Sequence, residues 1–283
     1  MKITIVSLTL AAAIFPSTAI CAEPPAVMQI GRESIKEGRA PAHRKVETDW
    51  ARAFRRATFP YHYLALETMT GANEVWFINS YPSFAAIEEG DKLVENGPLK
   101  NEFELLEARD GELRSNTRNM LAVYRKDMSY HPEKADLGKT RYMALTTFRV
   151  KLGHLGDFMA GSKIFLAAYE KMNFPRASLV YQVVGGAPAG MFLFFQPLET
   201  LKAMDSMADT ERDLPAAMGP EEYGRLMKGS GDVFTSIEGS YFRISPQMSY
   251  VSKETEDADA AFWRPKISAK PASDAKAKEK PGA

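Results

Sequence analysis

One segment of this chain occurs twice, and this internal repeat constrains the fold more than any other feature of the sequence. The stretch FPYHYLALETMTGANEVWFINSYPS begins at Phe59, and FPRASLVYQVVGGAPAGMFLFFQPL begins at Phe174. Similar matches extend on both sides, and the spacing changes only where a loop insertion or deletion would change it. A match that keeps its register across so many elements indicates two copies of one folding unit.

Reading both copies together predicts the order of elements within the unit. A strand and a Lys-x-Gly turn precede the first helix, which ends at Phe-Pro because the residue before proline avoids the helical region. Two strands joined at Gly71-Ala72 follow, and a second proline opens the next helix before the last strand. We therefore predict an α+β fold in which two tandem ferredoxin-like βαββαβ repeats pack sheet to sheet as an intramolecular α/β barrel.

The predicted organisation has five parts. Residues 1–22 are a signal peptide, 23–130 the first repeat, 131–140 a linker, 141–252 the second repeat, and 253–283 a disordered tail. An early lysine, an apolar run and small residues before a proline pair are typical of a secretory signal, so we expect an exported protein, periplasmic or secreted. The tail is rich in Lys, Ala, Pro and acidic residues, and its Phe-Trp pair is expected to dock back on the body.

The composition of the chain argues against a nucleic-acid partner and against a membrane-spanning segment. Lys and Arg together number 36, as do Asp and Glu, so the basic excess of a nucleic-acid-binding protein is missing. The single cysteine, Cys21, either leaves with the signal peptide or is a lipidation site, and no disulfide is predicted. No later segment is apolar enough to span a membrane. Because each chain carries its own barrel partner, it can be a monomer.

The opening of each repeat carries a resemblance to a known superfamily. The segments RESIKEGRAPAH and TFRVKLGHLGDF, with the element order, resemble the dimeric α/β-barrel superfamily in a fused two-copy form. That superfamily includes antibiotic-biosynthesis-type monooxygenases, haem-degrading enzymes, chlorite-dismutase-like haem proteins and NIPSNAP-like proteins. The resemblance implies that a ligand would lie between the two sheets. No histidine follows His154 to serve as a haem ligand in the second repeat, and no cofactor is predicted.

The predicted turn decides which residues face the barrel interior. A two-residue turn at Gly71-Ala72 places Glu67 opposite Trp76, and alternation then assigns each strand residue to one face. The residues expected on the interior face are Tyr61, Tyr63, Glu67, Trp76 and Ser80 in the first repeat and Arg176, Ser178, Gln182, Met191 and Phe195 in the second. The residues expected to pack against the helices are Leu64, Leu66, Val75 and Phe77.

Glu67 is the candidate catalytic residue, and the candidate ligand contacts are Tyr61, Tyr63, Trp76, Ser80, Arg176, Ser178 and Gln182. Burial would raise the pKa of Glu67 and make it a candidate general acid or base. Alternatively, Glu67 and its counterpart Gln182 are a hydrogen-bonded structural pair, and Trp76 with the tyrosines is barrel core. His43 matches Phe158 in the other repeat, which indicates a packing or helix-start position.

Three functions remain open. The first is an exported protein that binds a small apolar or aromatic molecule between the sheets. The second is a cofactor-independent, monooxygenase-like enzyme that acts on an aromatic substrate. The third is a non-catalytic interaction scaffold, whose barrel would be filled by side chains. The sequence has no His-Glu-x-x-His motif, cysteine pair or phosphate-binding loop, so no metal site is predicted.

Overall fold

The computed structural model describes residues 23–265, and the chain forms two units with the same order of elements. The first contains β1 (Val27–Ile35), α1 (Ala40–Ala57), β2 (His62–Thr68), β3 (Glu74–Tyr81), α2 (Phe84–Asn96), α3 (Lys100–Gly111) and β4 (Arg114–Tyr124). The second contains β5 (Tyr142–Val150), α4 (Leu155–Lys171), β6 (Leu179–Gly185), β7 (Met191–Leu198), α5 (Met207–Met218), α6 (Pro220–Val233) and β8 (Phe234–Ile244). The predicted signal peptide, Cys21 and residues 266–283 lie outside the described residues.

The eight strands form one closed antiparallel barrel in the order β1-β3-β2-β8-β5-β7-β6-β4. Each unit contributes four adjacent strands, and the two sheets join where β2 pairs with β8 and where β4 pairs with β6. The helices lie outside the barrel. In the first unit, α1 and α3 pack against each other there. The predicted fold class is confirmed.

Local sequence signals position the first long helix of each unit. A proline lies in the first turn of α1, where its missing N–H and fixed φ favour a helix start. The helix ends at Thr58, whose φ of 50° lies in the left-handed region, directly before Phe59-Pro60. In the second unit Asn173, with φ of 47°, plays the same part before Phe174-Pro175.

The barrel interior is filled by apolar side chains from both sheets. At its centre Ile30, Leu145, Leu193 and Phe242 are at most 1% exposed. The remaining interior core residues are Met28, Leu66, Trp76, Ile78, Met120, Ala122, Met143, Tyr181, Val183, Met191, Phe195, Ile244, Val251 and Trp263. This packing is what a scaffold predicts, and it leaves the space between the sheets occupied by the protein itself.

The structure corrects the predicted register of the first hairpin. Glu67 pairs with Val75 instead of Trp76, because five residues, and not two, connect β2 to β3. The Thr68 hydroxyl closes this loop by donating to the Ala72 carbonyl at 2.8 Å and accepting from the Glu74 N–H at 3.1 Å. A shift of one residue moves every side chain of β2 to the other face of the sheet.

The predicted disordered tail is ordered in its first part. Helices α7 (Lys253–Ala258) and α8 (Ala260–Trp263) lie within it. Trp263 is 2% exposed, belongs to the barrel core, and donates its indole N–H to the Gly138 carbonyl at 2.9 Å. The expectation that the Phe-Trp pair docks on the body is confirmed, and the apolar area buried by Trp263 explains why this segment is ordered despite its polar composition.

Candidate functional site

The structure divides the predicted interior residues between the two faces of the sheet. Trp76, Met191 and Phe195 lie in the barrel core as predicted. Ser80 shares their face, because it pairs with the interior residue Met28. Val75 and Phe77 pack on the helix side, also as predicted.

The residues of β2 have the opposite orientation to the one predicted, because of the register shift. Leu64 and Leu66 contact the barrel core, whereas Tyr63 packs on the helix side. Glu67 lies on that same outer side, where its Oε1 accepts from Arg44 Nε of α1 at 3.1 Å. Tyr61 is also outside the barrel and donates its hydroxyl to Glu89 of α2 at 2.8 Å.

The second repeat shows the same change of face. Tyr181 and Val183 point inward, and Gln182 between them accepts from Arg125 Nη1 at 2.7 Å on the outer side. Ser178 continues this outer face and forms a backbone bridge with a residue before the linker. Arg176 lines a separate cavity outside the barrel. The predicted site residues therefore do not converge on one pocket between the sheets.

A buried polar cluster that the sequence analysis did not single out lies between the sheet and the helices of the first repeat. Glu33 is on the outer face of β1, His43 and Glu47 are one helical turn apart on α1, and Asp110 is in the last turn of α3. Their exposed fractions are 7%, 1%, 6% and 1%. One ligand atom of each residue lies within 4.8 Å of those of the others.

Arg114, at the start of β4, holds two of these carboxylates in position. Its Nη1 donates to Glu33 Oε1 at 2.8 Å, and its Nε lies 2.9 Å from Asp110 Oδ2. The second oxygen of each carboxylate faces His43, whose Nε2 is 2.8 Å from Glu33 Oε2 and 3.4 Å from Asp110 Oδ1. Three potential ligand atoms thus converge on one side, and a single guanidinium holds the other oxygen of each of the two carboxylates.

One acceptor of the cluster lacks a well-formed hydrogen bond. Asp110 Oδ1 is buried and no donor among the described residues meets hydrogen-bond geometry, although His43 Nε2 lies 3.4 Å away; almost all buried polar atoms in proteins have a partner. Leaving such an atom unpaired costs about 1–3 kcal/mol. A cation about 2.1–2.4 Å from each ligand would place neighbouring ligand atoms roughly 3–4 Å apart, which fits this spacing.

Burial and mutual repulsion oppose ionisation of the carboxyl groups. Burial, followed by the Glu33 carboxylate, raises the pKa of Asp110 to about 6, against the opposing effects of His43 and Arg114. Burial, followed by Asp110 and Glu33, raises the pKa of Glu47 well above its ordinary value. Both shifts favour the protonated carboxyl groups, and a bound cation would oppose them by stabilising the carboxylates.

The second repeat has an apolar cluster at the same place. The counterparts of Glu33, His43 and Arg114 are three phenylalanines, and those of Glu47 and Asp110 are serines; these residues are Phe148, Phe158, Phe234, Ser162 and Ser230. The three phenylalanine rings contact one another, with centroids 5.4 to 5.7 Å apart. The fold therefore accepts an apolar core here, and it does not require the charges of the first repeat.

A cavity of about 370 Å³ connects this region to the surface. It lies beside β2 and the loop after it, and its polar lining includes His43, Arg44, Glu67 and Arg243. His43 is thus shared between the cluster and the cavity. A small polar molecule in the cavity would contact the imidazole and the Arg44–Glu67 ion pair.

The repeat itself contained the signal for this cluster. In the sequence, His43 matches Phe158, which predicts a packing or helix-start position. A search for positions that are ionisable in one repeat and aromatic in the other would have found Glu33 and Arg114 as well. Asp110 matches a serine, so a comparison of ionisable with aromatic residues would not have found it.

Comparison with known proteins supports the fold and leaves the function open. No protein-family model matches the chain, and no curated protein matches it in sequence. An anthrone oxidase-like protein of known structure superposes with a TM-score of 0.51 at 13% identity, covering 82% of this chain and 96% of that one.

Two further structures show lower similarity. A protein provisionally named as a monooxygenase, from Lactobacillus acidophilus, gives a TM-score of 0.49 at 10% identity over 78% of this chain and 94% of that one. A chlorite dismutase mutant from Candidatus Nitrospira defluvii gives 0.46 at 8% identity over 84% and 96%. The superposition with the anthrone oxidase-like protein, at a TM-score of 0.51, agrees with the barrel fold. Within residues 23–265, no helix combines the length and the apolar character needed to cross a membrane.

Proposed function

We propose that this chain is an exported protein that binds a divalent cation through Glu33, His43, Glu47 and Asp110 of its first repeat. The observation that carries the proposal is the contrast between the repeats. A packed phenylalanine cluster occupies the same position in the second repeat, so the same fold can fill this position with apolar side chains and avoid the free-energy cost of burying charges. Buried ionic groups are often less stabilising than apolar residues of similar volume, which supports a role other than stability.

The ligand set indicates which cations fit. Three carboxylates and one imidazole are ligands that suit Mn²⁺, Fe²⁺ or Zn²⁺, and no thiolate that would favour a softer ion is among them. A divalent cation would displace the protons that burial favours on Asp110 and Glu47, and it would hold both groups as carboxylates. Arg114 would orient the ligands through their second oxygens without contacting the cation.

The test is cation binding by the purified, chelator-treated protein. We expect one Mn²⁺ or Zn²⁺ per chain by calorimetry and elemental analysis, and loss of that binding in His43→Phe, which carries the residue of the second repeat. The matched control is His154→Phe, since His154 forms a surface pair with Asp157 at 2.9 Å and would bind cations only adventitiously. Equal binding by wild type and His43→Phe, or none by wild type, would refute the proposal.

The export part of the proposal rests on the first 22 residues. Their early lysine, apolar run and small residues have the pattern of a cleaved secretory signal. In an exporting host, the intact mass of the mature protein should begin after Ala19 or Ala22. Recovery of the full-length chain inside the cell would contradict export without affecting the cation site.

An oxygenase-like enzyme is the second candidate, and the cavity beside His43 is the observation that favours it. The chain shares its architecture with an anthrone oxidase-like protein, and the cavity of about 370 Å³ can hold a small aromatic molecule. Glu67 is engaged by Arg44, so His43 takes the role of the proton acceptor in this candidate. Oxygen uptake with an anthrone as probe, absent in His43→Phe, would support it, and no uptake by the wild type would reject it for that substrate.

A further inference from the structure

A second cavity, unrelated to the polar cluster, lies beside the linker between the repeats. Its volume is about 450 Å³. Three segments form its wall: the linker residues 134–140, the residues 175–177 before β6, and the residues 197–203 from the end of β7. The cavity is outside the barrel and belongs to the second repeat.

Arg176 provides the main positive charge of this cavity and has no acidic partner in the described part of the chain. Its Nη1 donates to the Ala203 carbonyl at 2.6 Å, and its guanidinium lies 4.6 Å from the ring centroid of Phe174. Its Nε is buried and has no hydrogen-bond partner. Burial lowers the pKa of Arg176, with only partial compensation from two tyrosines, which is the behaviour of a cation that lacks a neighbouring carboxylate.

The other charged residues of the wall leave the cavity positive. Lys134 and Lys202 line it and form no salt bridge with any residue between 23 and 265. Of the two acidic residues, Asp136 is paired with Lys139 at 3.3 Å, so Glu199 is the one carboxylate left against three cations. Arg176 is half-buried, and the partners of its Nη1 are the neutral Ala203 carbonyl and Ser206 hydroxyl, so an anion in the cavity would supply the charge partner that the described residues do not.

The first repeat has a tyrosine in place of Arg176. The counterpart of Arg176 is Tyr61, which packs on Tyr81 with ring centroids 5.0 Å apart and donates to Glu89 of α2. In the second repeat a short 3₁₀ turn, Leu201–Met204, lies before α5, in the region where the first repeat has the start of α2. The tyrosine, its packing and its acceptor are thus replaced by an arginine and an open space.

We propose that this cavity binds a small molecule with a carboxylate or phosphate group, and that Arg176 anchors that group with assistance from Lys134 and Lys202. Arginine suits this role because its planar guanidinium matches the oxygens of both groups. The contact with Phe174 holds the guanidinium in place before the ligand arrives, which reduces the entropic cost of binding. The cation site of the first repeat takes no part in this binding.

The test uses the full mature chain with succinate and inorganic phosphate as probes, at constant ionic strength with chloride as the reference. We expect calorimetric binding of at least one probe and a rise in the melting temperature. Arg176→Met keeps a side chain of similar length over Phe174, and it should weaken binding by at least about tenfold. Arg212→Met, which removes an exposed arginine paired with Asp209, should bind like the wild type.

Labelling of lysines in the wild type gives a second readout that does not depend on a variant. Lys134 and Lys202 are exposed, so a bound anion should protect both from an amine-reactive reagent, and Lys163, remote from the cavity wall, should react as before. Preferential binding of succinate or of phosphate identifies the class of ligand. Binding of neither probe, unchanged affinity in Arg176→Met, or binding without protection of the two lysines would overturn the proposal.

Discussion

At the scale of single residues, the first repeat is distinguished by one arginine that serves two buried carboxylates. Arg114 contacts one oxygen of Glu33 and one of Asp110, and it leaves the second oxygen of each beside His43. Ordinary ion pairs neutralise charge, whereas this arrangement brings three carboxylates together with a single permanent cation. In metal centres, residues that do not touch the metal hold its ligands in position through hydrogen bonds, and Arg114 holds Glu33 and Asp110 in the same way.

Asp110 should give the metal-free protein an unusual dependence of stability on pH. Its folded pKa of about 6 lies above the ordinary value near 3.8, so its protonated form is favoured by folding. Its contribution to stability is therefore full below about pH 4 and is lost as the pH rises through about 6. In Asp110→Asn the decline should become smaller and leave the part that Glu47 contributes through its own raised pKa, and urea unfolding from pH 4 to 8 with chelator present will measure the difference.

Asp127 is the matched control for that prediction. Hydrogen bonding to Arg125 holds the pKa of Asp127 below its ordinary value, so its contribution has the opposite sign and is lost as the pH falls. Asp127→Asn should leave the decline between pH 4 and 8 in place. The same decline in wild type and Asp110→Asn would mean that Asp110 ionises normally in the fold.

At the scale of elements, the segment of α7 and α8 closes one end of the barrel. Trp263 enters the core, Arg141 lies 3.8 Å from the ring centroid of Phe262, and Arg55 of α1 pairs with Glu256 at 2.7 Å. The linker approaches so closely that a Cβ on Gly138 would lie 2.4 Å from Ala258 Cβ. This segment therefore connects the first helix, the linker and the barrel core.

Removal of the Trp263 side chain should cost about 3–5 kcal/mol of unfolding free energy, as is usual for truncation of a buried tryptophan. The measurement is the urea midpoint of Trp263→Ala, with the slope of the transition compared with that of the wild type. Phe84→Ala is the control, because Phe84 is 50% exposed and its loss should change stability by at most about 0.5 kcal/mol. Equal stability of Trp263→Ala and wild type would show that the segment does not contribute to the barrel.

The elements also show what the sequence could predict. The order of strands and helices followed from two copies that keep one register, and alternation assigned the faces of β3 correctly. The orientation of β2 was wrong because the Thr68 side chain closes a longer loop, and turn-residue patterns do not reveal such a bond. The polar cluster was missed because its members come from β1, α1 and α3, which only the folded chain brings together.

At the scale of the whole molecule, two repeats of one architecture have diverged in their outer layers and kept a common barrel. The first has a polar cluster where the second has phenylalanines, and the second has a cavity where the first has a packed tyrosine. For each candidate site, the other repeat therefore shows which residues the fold accepts at the same position when the site is missing. The residues of one repeat can be transferred to the other to test each site.

Transfer of the second repeat's residues should preserve the fold. The variant Glu33→Phe, His43→Phe, Glu47→Ser, Asp110→Ser and Arg114→Phe replaces the whole cluster, and we expect stability in chelator equal to the wild type or higher by about 1–4 kcal/mol. Glu33→Phe alone should be destabilising, because it leaves Arg114 without one partner. Circular dichroism and urea unfolding will measure both. An unfolded five-residue variant would show that the charges are structural.

The docking of Trp263 is one of several contacts that can form only after the C-terminal part of the chain is available. The contact between Arg55 and Glu256 spans 201 residues, and β2 meets its neighbour β8 only after nearly the whole chain is available. Contacts of such separation form late, because the intervening chain must be ordered first. A nascent chain therefore stays open between β2 and β8 until β8 is available, and truncation upstream of β8 would leave the barrel without its closing strand.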